Sequence, residues 1–148
     1  MTVLKLVSLT DPILRRRTRG VPHLLPGHRR LISDMNETLL ATEGLGLSAN
    51  QVGSRHRIAL VKLPTWPEPL VFVNPRILTR SGKYQVKEGC LSIPGYFGIV
   101  ERHEKVTVKL LDLTGHPITM DATGLLAHVL QHEVDHLDGK LYIERLVK

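Results

Sequence analysis

The residues able to do chemistry concentrate in Gln131-His132-Glu133-Val134-Asp135-His136. Two histidines stand four residues apart, with a glutamate directly after the first. On a helix, positions i and i+4 lie about one turn apart on one face, so both rings can reach a single metal ion. Glu133 stands roughly 100° around the axis from His132. That offset makes it a poor third ligand and a well-placed general base for water held beside the metal. The preceding run, Gly124-Leu125-Leu126-Ala127-His128-Val129-Leu130, is apolar and helix-forming, which predicts a buried helix over about 123–138.

Such a site needs a third ligand. A metzincin protease would continue His-x-x-Gly-x-x-His, and here Gly139 is in place but Tyr142 holds the last position. After Asp138 the only acidic residue is Glu144, beside the predicted strand Leu141-Tyr142-Ile143, so the ligand should come from upstream. The soft candidate is Cys90, the only cysteine, in Glu88-Gly89-Cys90-Leu91-Ser92-Ile93-Pro94-Gly95. Alone, that stretch suits a buried structural thiol; beside a His-Glu-x-x-His helix short of a ligand, it reads as a metal ligand.

A third stretch is Gly44-Leu45-Gly46-Leu47-Ser48-Ala49-Asn50-Gln51. Its Gly-x-Gly-x-x-Ala spacing mimics a dinucleotide fingerprint, yet a helical pattern precedes it where that motif requires a strand. It reads either as a helix C-cap leading into a turn or as a thin backbone wall that a substrate can approach closely. In the second case Gln51 offers its amide to a developing oxyanion.

The elements that must position these stretches follow from periodicity. Residues 3–9 read as a short strand or extended arm, and Asp11-Pro12 as a turn. Leu31, Ile32, Met35, Leu39 and Leu40 form the inner stripe of an amphipathic helix over about 28–42. Residues 57–63 and 70–73 read as strands. Ile77–Thr79 and Tyr84–Val86 flank a predicted hairpin turn at Ser81-Gly82. Val106, Val108 and Leu110 alternate with polar residues and pair, across a turn at Thr114-Gly115, with Ile118 and Met120. The fold class is α+β: mixed, mainly antiparallel sheets packed around a central metal-binding His-Glu-x-x-His helix, with an N-terminal amphipathic helix. A length of 148 residues suits a single catalytic domain, 1–148.

Composition narrows the classes. With 42% hydrophobic and 23% charged residues the chain is ordinary for a globular protein. No apolar run is long enough to span a bilayer. A lone cysteine forms no internal disulfide, and no signal peptide is recognisable, so the expected compartment is the cytoplasm, with an organelle as the alternative. A formal charge of +6 and a pI near 9.8 attract polyanions. The clusters Arg15-Arg16-Arg17 with Arg19, and His28-Arg29-Arg30, read first as a solvated basic face, and six aromatics argue against specific nucleic-acid reading.

Taken in order, residues 44–51, 88–92 and 131–139 resemble the peptide deformylase family, whose pattern is Gly-x-Gly-Leu-(Ala/Ser)-Ala-x-Gln, Glu-Gly-Cys-Leu-Ser and Gln-His-Glu-x-Asp-His-Leu-x-Gly. The resemblance extends to Asp11-Pro12 with Leu14-Arg15. It implies removal of the formyl group from the N-terminal formyl-methionine of nascent polypeptides. Cys90, His132 and His136 would hold one divalent metal, Fe(II) natively with Zn(II), Ni(II) or Co(II) as alternatives, and water would fill the open position. Glu133 would take the proton of that water and pass it to the leaving amine. The Leu91 N–H and the Gln51 amide would stabilise the oxyanion.

By the same resemblance the wall of the methionine slot includes Gly44, Leu45, Leu125, His128, Val129 and His132. The peptide would run extended along Leu45, Gly46 and Gly89. The expected partners are N-formylmethionyl nascent peptides and, weakly, the ribosome, with no membrane and no specific nucleic acid; the expected state is a monomer. Four departures stand out. Phe97 occupies a position where many bacterial members carry arginine, and His128 one where an apolar residue is usual. Ser48 replaces the commoner alanine, and the chain resembles a short form lacking a C-terminal helix.

Overall fold

The computed structural model describes residues 2–90, 93–141 and 146–147, with side chains described throughout except at 90 and 93–96. Five strands, β1 (Gly46–Ser48), β2 (Ile58–Val61), β3 (Leu70–Cys90), β4 (Ile93–Leu111) and β5 (Pro117–Thr123), pair in chain order as one antiparallel sheet. Two α-helices complete the α+β arrangement, α1 (Pro26–Leu40) and α2 (Gly124–Leu137). Mixed sheets are thus not what forms: among the described residues the one parallel pairing is an isolated bridge between Arg19 and His56. No helix among them is long and apolar enough to cross a membrane.

Strand alternation divides the core in two. Ile58, Leu60 and Val73 point to one face, where they pack with Leu47 and with Ile32, Met35 and Leu39 of α1. Val61, Phe72, Val106, Val108, Leu110 and Ala122 point to the other, against Ala127, Val129 and Leu130 of α2. Helix α1 starts two residues earlier than the stripe suggests because Pro26 is pre-set for a first turn, and the Leu25 N–H is met by His28 Nδ1 at 3.0 Å. It ends at Leu40, which is 49% exposed and so does not belong to the inner stripe.

The predicted hairpin at Ser81-Gly82 does not form. β3 runs straight through it, pairing with β4 from Val73↔Leu111 to Cys90↔Ile93. Gly82 does adopt a turn-type φ of +72°. The hydrogen bonds available from nineteen residues of β4 outweigh that single conformational signal. The turn at Thr114-Gly115 forms as the spacing predicts, closing Leu111↔Pro117, although Ile118 remains 40% exposed. Residues 2–7 form an arm rather than a strand, held by Leu4 N–H to Thr38 Oγ1 (2.7 Å) and Val7 N–H to the Gln51 carbonyl (2.8 Å). The predicted strand at Tyr142-Ile143 lies outside the described residues.

Helix α2 is enclosed on nearly every side: Ala127 and each residue from Val129 to Leu137 are buried. Its end carries a left-handed cap. Gly139, at φ +78°, sends its N–H to the His136 carbonyl (2.9 Å), and Lys140 sends its own to Asp135 (2.8 Å). A Cβ at Gly139 would stand 2.7 Å from the Arg15 carbonyl oxygen, so glycine also lets the N-terminal segment pass. Thr18 then donates both its N–H and its hydroxyl to the Leu137 carbonyl, each at 2.8 Å.

Candidate metal centre and cleft

The helical spacing predicted for His132 and His136 brings their Nε2 atoms to 3.1 Å from one another. Two nitrogens bound at ~2.05 Å to one tetrahedral ion would sit roughly 3.4 Å apart, so the pair fits an ion with little movement. The ligand atoms of His132, Glu133 and His136 all lie within 4.8 Å of each other. Cys90 ends β3, in register with Ile93. Its side chain, like Leu91 altogether, lies outside the described residues.

What orients His132 is Glu88, a residue that sequence reasoning passed over. Glu88 accepts from His132 Nδ1, and that bond leaves Nε2 as the lone-pair nitrogen facing His136. The same carboxylate takes Arg102 Nε at 2.9 Å, Arg102 Nη2 at 2.5 Å and His128 Nε2 at 2.8 Å. Arg102 spans on to Asp135 Oδ2 at 2.6 Å, tying β3, β4 and α2 into one ionic cluster. Burial works to raise the Glu88 pKa, but the bonds from His128, His132 and Arg102 prevail and hold it well below the ordinary carboxylate range. Arg102 shows the reverse balance: burial lowers its pKa, and Glu88 with Asp135 drives it above its usual value. A glutamate followed by Gly-Cys, and an arginine fourteen residues on, carried no periodic signal of this pairing.

Glu133 lies in different surroundings. Its side chain is enclosed, and Oε1 has no hydrogen-bond partner among the described residues. Burial, with help from the charges of Glu88 and Asp135 and against those of His132 and Arg102, pushes its pKa up to about 7. Gly46 of β1 lies directly against it: a Cβ there would stand 2.9 Å from both Cγ and Cδ of Glu133. Burial, then the neighbouring His132, holds the His136 pKa well below its ordinary value, so the ring is a neutral donor.

Gln51 stands in a short 3-10 turn, Ala49–Val52, directly after β1. The Ser48 N–H donates to Gln51 Oε1 at 3.0 Å. Because a backbone N–H can only donate, the amide oxygen must face Ser48, and the NH2 end turns the other way. The Ser48 hydroxyl lies 2.7 Å from Asn50 Oδ1 and 3.0 Å from Gln51 Oε1, and Asn50 Nδ2 reaches the His136 carbonyl at 2.5 Å. Thus the turn is bolted to α2. Gln131 clamps the helix to β4 by bonding both backbone groups of His103 at 2.8 Å.

These elements enclose a cleft of about 530 Å³. Gly44, Leu45, Gly46, Gly89, Leu125, His128 and Val129 all line it, together with Gln51, His132 and Glu133. The chain therefore gathers around one cleft every described residue that the sequence singled out for substrate contact. It also brings in Lys87 and Phe97, with the Lys87 ammonium 5.2 Å from the centre of the Phe97 ring. Gly44 is not a helix cap, since α1 is capped at Ala41; it lines the cleft.

The sequence profile of the polypeptide deformylase family matches residues 3–148. The peptide deformylase of Dehalococcoides mccartyi is 43% identical over 146 residues, covering 99% of this chain and 87% of that protein. The crystal structure of a peptide deformylase from Legionella pneumophila superposes with a TM-score of 0.93 at 39% identity, over 99% of this chain and 87% of that one. A peptide deformylase from Synechococcus elongatus, solved in complex with actinonin, gives 0.93 at 40% identity, over 100% of this chain and 81% of that one.

Proposed function

The chain belongs to the polypeptide deformylase family, and from that premise we propose that Cys90, His132 and His136 hold its metal while Glu133 carries the proton. It is a metal-dependent hydrolase that removes the N-terminal formyl group from formyl-methionine of newly synthesised polypeptides. We read residues 1–148 as one catalytic domain, with α2 as the metal-binding helix at its centre and α1 as its amphipathic support. The native ion is Fe(II), with Zn(II), Ni(II) or Co(II) as substitutes; a thiolate and two neutral imidazoles suit any of these. When bound, the metal supplies positive charge that acidifies water and polarises the formyl carbonyl.

The chain's own residues do the rest. Glu133, with a pKa near neutrality and one oxygen unspent, accepts the proton of the attacking water and returns it to the departing amine. Gln51 presents its amide NH2 to the oxyanion, alongside the backbone N–H of Leu91. Loss of one such donor typically costs ~10²–10³ in rate, or roughly 3–4 kcal/mol. Leu125, His128, Val129, Gly44 and Leu45 receive the methionine side chain, and the peptide lies along Leu45, Gly46 and Gly89 like an added strand. Lys87 lines the cleft beside Phe97 and offers the bound peptide a cation in place of the arginine that many bacterial members carry at the position of Phe97.

The single observation that carries this reading is the pair of converging imidazole nitrogens beside a buried, under-bonded carboxylate on the wall of a cleft. An anaerobic preparation assayed on formyl-methionyl and unformylated peptides, with metal analysis of the same sample, tests it. Deformylation that tracks iron content supports the assignment; cleavage of unformylated peptides at equal rates sinks it. We place the enzyme in the cytoplasm as a monomer in weak association with ribosomes. Gel filtration and ribosome co-sedimentation test those two points.

A further inference from the structure

The sheet face opposite α2 carries a second concave feature, a groove of about 230 Å³ lined by Arg57, Asn74, Arg76, Lys109, Leu110 and Leu111. Lys109 alternates with Val108 and Leu110, which pack beneath α2, so its side chain leaves the sheet on the α1 side. Arg76 is its register partner on β3 and shares that face. Like charges directly opposite one another on antiparallel strands repel. Both are exposed, and neither has a carboxylate at ion-pair distance among the described residues. Arg57, deeper in the groove, spends its donors on the Pro75 carbonyl (2.9 and 3.1 Å) and on Asp138 (2.7 Å). The capacity to bind a ligand therefore rests with Arg76 and Lys109.

Other cations stand on segments tied by hydrogen bonds to Arg57 or to the turn beyond Leu111. The Arg19 N–H donates to the Arg55 carbonyl (2.7 Å) and the Arg57 N–H to the Arg19 carbonyl (2.8 Å), and the Arg19 and Arg55 side chains are exposed. Arg29 of α1 reaches across to the β4–β5 turn, Nη2 to the Leu113 carbonyl at 2.9 Å. The groove thus takes its three lining cations, Arg57, Arg76 and Lys109, from segments that are distant in sequence.

We propose that this groove is a binding site for the phosphates of a nucleic-acid backbone, bound without regard to sequence. Guanidinium and ammonium groups supply charge-assisted donors to phosphate oxygens. None of the lining residues is aromatic, so bases find no stacking platform, and recognition stops at the backbone. Because the groove lies on the sheet face away from Glu133, an occupant leaves the catalytic cleft open.

The test uses the full metal-loaded chain and a short fluorescein-labelled RNA, followed by anisotropy as salt rises. Affinity should fall about tenfold or more between ~50 and ~200 mM salt. Arg76→Glu with Lys109→Glu should weaken binding by about tenfold and flatten the salt slope by roughly one unit or more. A control of equal charge change, Arg80→Glu with Lys83→Glu, should leave binding within about threefold. Deformylation of a formyl-methionyl tripeptide should be unchanged in both. If the groove pair does not fold, Arg76→Gln with Lys109→Gln makes the same comparison. Equal loss in groove and control variants, binding of phosphatidylserine vesicles in place of RNA, or protection by inorganic phosphate alone without RNA binding would each overturn the proposal.

Discussion

Glu88 and Glu133 are both buried beside His132, and they occupy opposite surroundings. Glu88 receives four hydrogen bonds, two of them from one guanidinium, and is held ionised. Glu133 has an oxygen with no partner among the described residues and a pKa near neutrality. Saturated bonding makes a carboxylate a fixed charge that orients a ligand. Sparse bonding in a dry site makes one that changes protonation readily. Residue type does not separate the two roles; the supply of donors does.

The contrast is most sharply tested at Glu133. Glu133→Ala should lower kcat by about 10²–10⁴ or more while metal content by elemental analysis stays unchanged. Loss of the metal along with activity would move Glu133 into the ligand set. Next comes Gly46→Ala, whose Cβ must displace the Glu133 carboxylate. A shift of ~1 Å should reduce kcat by roughly 10² with KM little changed, and a near-normal kcat would mean the carboxylate has room to spare.

Glu88→Ala attacks the other side of the comparison. Metal affinity should drop about 10–100-fold as His132 loses its orienting acceptor. Stability in urea should fall by roughly 3–5 kcal/mol because Arg102 loses its bidentate partner inside the protein. Unchanged metal affinity would show that packing alone orients the ring. The smallest effect belongs to His128→Leu. Arg102 and His132 still hold Glu88, so stability should change by only about 1 kcal/mol and metal content should persist. A loss on the scale of Glu88→Ala would make His128 an essential member of the cluster.

Legibility followed the range of the interactions. The pairing of His132 with His136, and the position of Glu133 between them, is fixed by helical geometry within five residues, and so could be read directly. The turn at Thr114-Gly115 was equally local. Ser81-Gly82 misled because its local turn signal was overridden by a ladder to strand β4, far along the chain. Leu40 fitted the stripe but falls where α1 ends and solvent begins. Cys90 and Leu91 were singled out by sequence, and their side-chain and backbone roles lie outside the described residues.

The amino-acid order by itself singled out His132 and His136 as candidate metal ligands, Glu133 as a candidate proton carrier, and residues 44–51 as either a turn after a helix or a backbone wall. These depend on residue type and on spacings of one or two turns. Only the tertiary structure decided that Glu88 aims His132 from forty-four residues away, that Gly46 rests on Glu133, and that Arg76 and Lys109 share a groove. Those relations arise from strand register and the packing of the sheet against α2, and no short-range pattern encodes them.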